Sequence, residues 1–434
     1  MIRKLSLSLL ALAMAFVAFG ERSKPVFAQG SGVVVLSGDI TSNMKLKAKK
    51  TYLLQGGVFV RSGASLKIPA GTKIFGDTGS FLVIDKGAKI IAKGKANKPI
   101  VFTSAQAAGQ RRRGDWGGLI FNGNAPINVP GGVAEGEGGT GQYGGADVSD
   151  NQGILRYVRV EYGGFPISPD NELNCVAFQG VGNGTTIDYV EALYGGDDAF
   201  EFFGGAVNAK HLVAIGALDD NFDWTFGWTG MLQFGVVQQR ADGAGVADRG
   251  IEADNNETDF NLSPRSHPML ANITLVGDPN PTFPGSSQGM ELRRGTAGEI
   301  RNVIVTGFKA NGSRITDQAS YDQYSAGELD LQGIIYFNNK GGANLEGTTL
   351  AALEGKGLAT LRILNQEDPQ LVAPFNFAAP NFQPAAGSPA LNAANVAPKF
   401  ADAFFEDAPY VGAFDGTNNW MDGWTNFEVA GNGN

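Results

Sequence analysis

The sequence contains few of the residues on which many metal and redox centres depend. Its 434 residues include one cysteine, Cys175, and two histidines, His211 and His267. An internal disulfide framework and a cysteine-rich metal cluster are therefore excluded. The histidines lie far apart in the sequence, so a multi-histidine metal site would need help from carboxylates.

Positive charge is also scarce. Lys and Arg number 34 against 43 Asp and Glu, which gives a net charge of −9. This balance argues against nucleic acid or an anionic membrane as the main partner. Hydrophobic residues make up 43% of the chain, enough for a sizeable core, and global disorder is excluded. Beyond the N-terminus, no apolar run is long enough to span a bilayer.

The N-terminus has the pattern of an export signal. Arg3 and Lys4 precede an apolar stretch over residues 5–20, and small residues further on suit cleavage after Ala28. We therefore expect residues 1–28 to be a signal peptide. The mature protein, which then has no transmembrane segment, is expected outside the cell, on its surface or in the periplasm.

The middle of the chain repeats about every 22 residues. Phe178, Phe200 and Phe222 stand in step, and each repeat holds short segments of alternating apolar residues between glycine-rich turns. Such a period is typical of a solenoid. The abundance of Gly, Val and Phe with period-two alternation disfavours helical and leucine-rich repeats. The sequence therefore predicts an all-β parallel β-helix, right-handed by the usual handedness of parallel crossovers.

The repeat pattern also predicts the organisation of the chain. We expect the β-helix over residues 29–370, with loops inserted at 105–152, 240–250 and 277–288. Within the first loop, residues 131–145 are too glycine-rich to pack. Residues 345–356 are expected to form a short helix. From residue 371 the repeat fades into proline-broken segments with Trp420 and Trp424, so residues 371–434 are expected to cap the open end of the β-helix.

Several motifs resemble those of a large group of secreted bacterial right-handed β-helix proteins with a pectin-lyase-like solenoid. The motifs are Gly114–Gly118, the paired aspartates of the repeats, Asp248–Asn255, Tyr410–Phe414 and Gly423–Thr425. The resemblance covers roughly residues 50–428. Members of this group are exported or surface proteins, so the resemblance implies a fold and a location. It implies no particular activity.

Acidic residues recur at matching positions of two consecutive repeats. They are Asp197, Asp198 and Glu201 in one repeat and Asp219, Asp220 and Asp223 in the next. If the neighbouring aromatic residues point inward, alternation places Glu201 and Asp223 outward on coils about 4.8 Å apart. We expect the outward row to run through Gln179, Glu201, Asp223, Glu252 and Glu291.

Carboxylates at this spacing repel each other and need a cation, an arginine or a raised pKa. Three interpretations are open. The aspartates could accept hydrogen bonds from turn amides and order the corners, the row could bind Ca²⁺, which prefers oxygen ligands, or the acids could be catalytic. The candidate calcium ligands are Asp197, Asp198, Glu201, Asp219, Asp220, Asp223 and Glu252.

Carbohydrate-active β-helix enzymes give a comparison for catalysis. The segment Gly196-Asp197-Asp198 matches one of four motifs of polygalacturonase-like hydrolases, whose aspartates serve as acid and base, but the adjacent repeats lack the others. Pectate-type lyases pair a calcium-binding acidic cluster with an arginine base. Arg293 or Arg294 beside Glu291 could imitate that pairing, or could neutralise the acidic row. The candidate catalytic residues are Asp197, Asp198, Glu201, Asp219, Asp220, Asp223, Arg293 and Arg294.

Three functions follow, in order of preference. The first is an exported cell-surface or extracellular module that binds polysaccharide or the cell envelope, or supports it structurally. The second is a Ca²⁺-dependent polysaccharide lyase or hydrolase, so enzymatic activity stays open. The third is a self-assembling surface filament, because coil ends present unpaired strand edges. Among single residues, His211 is expected at an ordinary surface strand position and Trp224 in the core.

Overall fold

The structure is a computed structural model that describes residues 32–168, 171–240, 248–278, 288–345 and 347–428. The expected signal peptide 1–28 lies outside the described residues, as does most of the expected loops 240–250 and 277–288. Within the described ranges, no helix combines the length and the apolar character that a membrane crossing requires.

Short strands follow one another along the whole solenoid. In chain order the strands are β1 (Val34–Ile40), β2 (Met44–Lys45), β3 (Thr51–Val60), β4 (Ser65–Pro69), β5 (Lys73–Gly76), β6 (Phe81–Ile84), β7 (Lys89–Lys93), β8 (Ile100–Ser104), β9 (Gly118–Asn122), β10 (Ala134–Glu135), β11 (Gln142–Tyr143), β12 (Gly153–Glu161), β13 (Pro166–Ser168), β14 (Asn171–Glu172), β15 (Val176–Gln179), β16 (Thr186–Leu193), β17 (Phe200–Phe203), β18 (Asn208–Ile215), β19 (Phe222–Thr225), β20 (Met231–Gln238), β21 (Ile251–Ala253), β22 (Met269–Val276), β23 (Gln288–Leu292), β24 (Gly298–Thr306), β25 (Asn311–Ile315), β26 (Leu329–Phe337), β27 (Leu364–Asn365), β28 (Leu371–Ala373) and β29 (Asn381–Pro384).

The coils form three parallel sheets around one apolar core, and the predicted right-handed parallel β-helix is confirmed. Sheet 1 contains the short strands β6, β9, β15, β17, β19, β21, β23 and β25. The long strands β12, β16, β18, β20, β22, β24 and β26 each bend once. Their first halves continue sheet 2 from β4 and β7, and their second halves continue sheet 3 from β5 and β8.

Aromatic side chains of sheet 1 stack inside the solenoid, but in a different register from the expected one. Phe178 pairs with Phe202, with ring centroids 5.2 Å apart, and Val176 pairs with Phe200. The expected step from Phe178 to Phe200 is therefore wrong. The turn at 180–185 is two residues longer than the turn at 204–207, so this coil is longer than the next, in which Phe200 stacks on Phe222.

The expected loop 105–152 is two insertions separated by a strand. Strand β9 lies in sheet 1 because Leu119 and Phe121 alternate into the core. Residues 123–152 then fold back over the outer face of sheet 1, where Ile127 and Tyr143 are buried. The expectation that residues 131–145 do not pack is thus wrong, since these two apolar side chains anchor the glycine-rich turns.

The C-terminal segment, residues 371–428, lies along the side of the solenoid and not over its end. Tyr410 O accepts a hydrogen bond from Asn272 Nδ2 at 2.8 Å, and Asn426 N donates to Glu191 Oε1 at 2.9 Å. Trp424 is buried against sheet 3 side chains. This corrects the expected end cap. Apolar residues on the outer face of sheet 3, including Leu193 and Ile215, form the lateral surface on which the segment packs.

Two helices complete the last coils. Helix α2 (Gly347–Lys356) matches the helix expected over 345–356 and buries Leu353 in the end of the core. Helix α1 (Gln318–Ala326) was not expected. Its signals are nevertheless present in the sequence, because Asp317 caps the N-terminus by accepting from Ser320 N at 3.0 Å, and Gly327 ends the helix in the left-handed region.

Replacing Trp424 with alanine tests the lateral packing. Trp424 is 1% exposed, and its ring packs edge-on against Tyr157 and Tyr189. The substitution should destabilise this contact by about 3–5 kcal/mol and speed hydrogen exchange at Asn426. The control is Val372→Ala, at a side chain 57% exposed, which should change neither. Unchanged exchange in Trp424→Ala would contradict the lateral packing.

Candidate functional site

The acidic residues occupy two positions on each coil. One is the corner that leads into sheet 1, and the other is the second residue of the sheet 1 strand. The register places Glu201 beside Asp223, then Glu252, then Glu291. All four alternate with inward residues and therefore lie on the outer face, as predicted. Gln179 pairs with Phe203, so its expected place in this row is wrong, and Ala177 takes that place.

The corner aspartates form a ladder of hydrogen bonds between coils. Asp198 Oδ1 accepts from Asp220 N at 2.8 Å, and Asp220 Oδ1 accepts from Arg249 N at 2.6 Å. One coil earlier, Asn174 Oδ1 accepts from Asp198 N at 3.3 Å. For Asp198 and Asp220 the turn-ordering interpretation is therefore correct, and the second oxygen of Asp220 also accepts from Arg249 Nη1 at 3.4 Å.

The carboxylates of both positions converge. Four overlapping groups have ligand oxygens that lie within 4.8 Å of one another. We call their members the acidic cluster, which consists of Asp197, Asp198, Glu201, Asp219, Asp220, Asp223, Asp248 and Glu252. The structure thus brings together all seven predicted calcium ligands and adds Asp248.

Asn174 and Glu137, which the sequence patterns do not indicate, complete one side of the cluster. Asn174 Nδ2 donates to Glu201 Oε2 at 2.5 Å and to Glu137 Oε2 at 3.3 Å. Glu137 belongs to the insertion 123–152, and burial, with repulsion from Glu172, raises its pKa to about 7. No local signal in the sequence indicates these contacts, because they join segments far apart in the chain.

Within the described ranges, the arginines that pair with the acids lie at the Glu252 side of the cluster. Arg249 forms ion pairs with Asp248 at 2.8 Å and with Glu252 and Glu291. Arg293 pairs with Glu252 and with Asp254 at 2.8 Å, and Arg294 pairs with Asp254 at 2.8 Å. The predicted arginines therefore lie at the site, where they neutralise acids. Arg249 is a site residue that the sequence analysis does not identify, although it belongs to the motif Asp248–Asn255.

Four of the remaining acids are buried or half-buried without such neutralisation. Asp197, Asp198, Glu201 and Asp223 form no ion pair within the described residues. Burial, followed by repulsion from neighbouring carboxylates, raises the pKa of each well above its usual range. Burial also raises the pKa of Asp254 to about 7, although Arg294 opposes the shift. Carboxyl groups without an ion-pair partner among the described residues are therefore concentrated at the Asp197 side of the cluster.

The three-sheet solenoid with this outer acidic row defines the protein as a parallel β-helix protein. A model of the pectate-lyase-like β-helix domain matches residues 38–360, and the chain belongs to that family. Among solved structures, the Dettilon tailspike protein is 11% identical over 71% of this chain, with a TM-score of 0.32. The chain spans 60% of that tailspike's length. A search of curated proteins finds no significant match.

Without divalent cations, stability should fall as the pH rises from about 5 to about 8. Raised pKa values mean that the buried carboxyls bind protons more tightly in the folded chain. The stabilisation that this tighter proton binding gives to the fold is complete at a pH below the ordinary carboxyl pKa. It is lost as the pH rises through the raised pKa values, which are about 7 for Glu137 and Asp254. Glu406 and Asp415 have lowered pKa values, so their contribution to stability changes at a pH below this range.

Urea unfolding with a chelator at both ends of this pH range measures the effect. Glu201→Gln should flatten the pH dependence and raise stability at the alkaline end, because the buried charge is removed. Glu354→Gln, at an exposed position on α2, should leave the dependence unchanged. Stability that increases over this range would contradict the assignment of raised pKa values to the cluster.

Proposed function

We propose that the protein is an extracellular or cell-surface polysaccharide-binding module whose acidic cluster takes up Ca²⁺. The observation that supports it most directly is the group of buried and half-buried carboxyls at the Asp197 side, which form no ion pair within the described residues. Asp223 Oδ1 supports it further, since this atom is buried and has no hydrogen-bond partner in the part of the chain that the structure describes. A divalent cation would satisfy that oxygen and remove the repulsion between coils.

The donor set fits calcium chemistry. All ligands are carboxylate oxygens, which suit Ca²⁺ and not the softer transition metals. Asp198, Glu201 and Asp223 form one candidate group, and Asp197, Asp198 and Asp219 form another. Asn174 holds Glu201 in place through its amide, so the donors are oriented before an ion arrives. A bound ion would supply positive charge to the carboxylates of an acidic glycan.

Binding is favoured over cleavage by the state of the arginines. A lyase of the pectate type needs an arginine that can accept a proton from the sugar. Arg293 and Arg294 are each held by Asp254, and Arg293 also by Glu252. Their charge therefore serves the acids around them. The family relationship and the expected signal peptide support the proposed location, and the latter lies outside the described residues.

Self-assembly through the coil ends is less favoured. Helix α2 covers one end of the core with Leu353, and Leu361 and Ile363 pack beside it. Among the described residues of that end, these apolar side chains are covered and not open to a second copy. The first described coil leaves Val34 and Val35 exposed by 36% and 50%, which is a small apolar surface for a filament contact.

Calcium titration by calorimetry near neutral pH tests the proposal. The unchanged protein should bind Ca²⁺ and melt at a higher temperature with it. Asp223→Asn and the double variant Asp197→Asn/Asp219→Asn should each weaken binding by about tenfold or more, because each removes charged oxygen ligands. Glu354→Gln is the matched control and should bind as the unchanged protein does. Absence of Ca²⁺ binding would leave the aspartates with the turn-ordering role alone.

A second measurement addresses the polysaccharide. Polygalacturonate should bind in the presence of Ca²⁺, and a chelator or Asp223→Asn should abolish the binding. Chromatography of the same mixtures detects any shortened products. Intact polymer after prolonged incubation is the expected result, whereas cleavage that depends on Arg293 or Arg294 would establish the lyase alternative in place of a binding module.

A further inference from the structure

A groove lies on the opposite side of the molecule from sheet 1, between the solenoid and the C-terminal segment. Its volume is about 610 Å³, which is within the range of ligand-binding pockets. The solenoid wall is the corner at which the long strands bend from sheet 2 to sheet 3. The facing wall comes from residues 406–420, including Tyr410 and Trp420.

The solenoid wall is built on an unusual backbone conformation. The corner residue of each coil lies in the left-handed region. The φ angles are 55° for Tyr189, 51° for His211 and 65° for Phe234. Later coils use Asn272 and Asn302 at this corner, and asparagine tolerates the conformation far better than aromatic residues do. Rings therefore occupy a costly conformation along this corner, from Tyr157 with φ of 50° through the coils that line the groove.

The rings form a continuous stack. Centroids are 4.0 Å apart between Tyr189 and His211 and 4.9 Å apart between His211 and Phe234. Trp420 meets His211 edge-on at 5.0 Å from the facing wall. The expectation that His211 is an ordinary surface strand residue is therefore wrong, because its ring is held between aromatic neighbours.

Charged groups along the groove fix the orientation of the histidine. Asp188 Oδ1 lies 2.8 Å from His211 Nδ1, and Arg156 Nε lies 3.3 Å from the other Asp188 oxygen. With Nδ1 engaged, His211 Nε2 has no hydrogen-bond partner within the described residues. Lys210 crosses the groove to Glu406 at 2.7 Å. The arrangement combines rigid rings with polar groups at fixed positions.

We propose that this groove binds a neutral glycan. Sugar rings present aliphatic faces that pack on aromatic side chains and hydroxyls that donate to carboxylates and imidazole nitrogen. The lining acids are Asp188, Glu406, Asp407 and Asp415, against the two cations Arg156 and Lys210. This excess of negative charge repels an acidic polymer. The site is thus distinct in place and in ligand from the acidic cluster, and it goes beyond the proposed function.

Oligosaccharide binding in the presence of a chelator tests this site while the acidic cluster holds no calcium. An array of neutral and acidic oligosaccharides selects ligands, and calorimetry then measures cellohexaose, maltohexaose or the best neutral hexasaccharide found. We expect a neutral glycan to bind with a Kd below about 1 mM. His211→Asn should weaken it by about tenfold or more, because the variant removes the ring and keeps a residue type that this corner accepts.

Two controls separate the ring's role from structure and from the other site. Glu354→Gln changes an exposed residue of α2 away from the groove, and Asp223→Asn alters the acidic cluster; both should bind the neutral glycan normally. The proposal is overturned if no neutral glycan on the array binds, if His211→Asn binds as tightly as the unchanged protein, or if an acidic hexasaccharide or a peptide is the preferred ligand. Failure of calcium binding would not affect these results.

Discussion

Parallel stacking of the coils is the constraint on which the rest of the structure depends. The backbone of each coil forms hydrogen bonds with the equivalent position of the next coil, so equivalent side chains lie directly over one another. Inside the solenoid this repetition is favourable, as in the pair Phe178 and Phe202 with rings 5.2 Å apart. At the corner it builds the ladder of Asp198 and Asp220. On the outer face of sheet 1 the same repetition places the carboxyl groups of neighbouring coils next to each other, as at Glu201 and Asp223.

The outer row shows how the chain handles an unfavourable repetition. From Arg249 onward, guanidinium groups lie between the acids, and Glu252 and Glu291 share a partner there. Before that coil, burial and repulsion raise the pKa of Glu201 and Asp223. The environment of the acids therefore changes along the solenoid axis, from carboxylates paired with arginines at one side to carboxyl groups that form no ion pair among the described residues at the other. A rigid backbone maintains this gradient because neighbouring coils cannot separate.

Sequence reasoning reached the fold through two local signals, a repeat length and a period-two alternation. These also placed Glu201 and Asp223 on the outer face. The register of Gln179 was wrong because apolar periodicity does not reveal that one turn is longer by two residues. Glu137 was missed since its partner Asn174 comes from another segment. The left-handed corner at His211 could not be predicted for a different reason, because neither histidine nor its aromatic neighbours indicate a positive φ.

The lateral course of the C-terminal segment has a consequence for assembly of the chain. Each coil contacts mainly its neighbours, so coils can form progressively during synthesis. The bond from Asn426 to Glu191 joins residues 235 positions apart, and the wall that carries Trp420 comes equally late. The solenoid can therefore be largely built while its side remains open. The segment over residues 406–428 closes it, so a finished groove distinguishes a chain synthesised through this segment from one that stops before it.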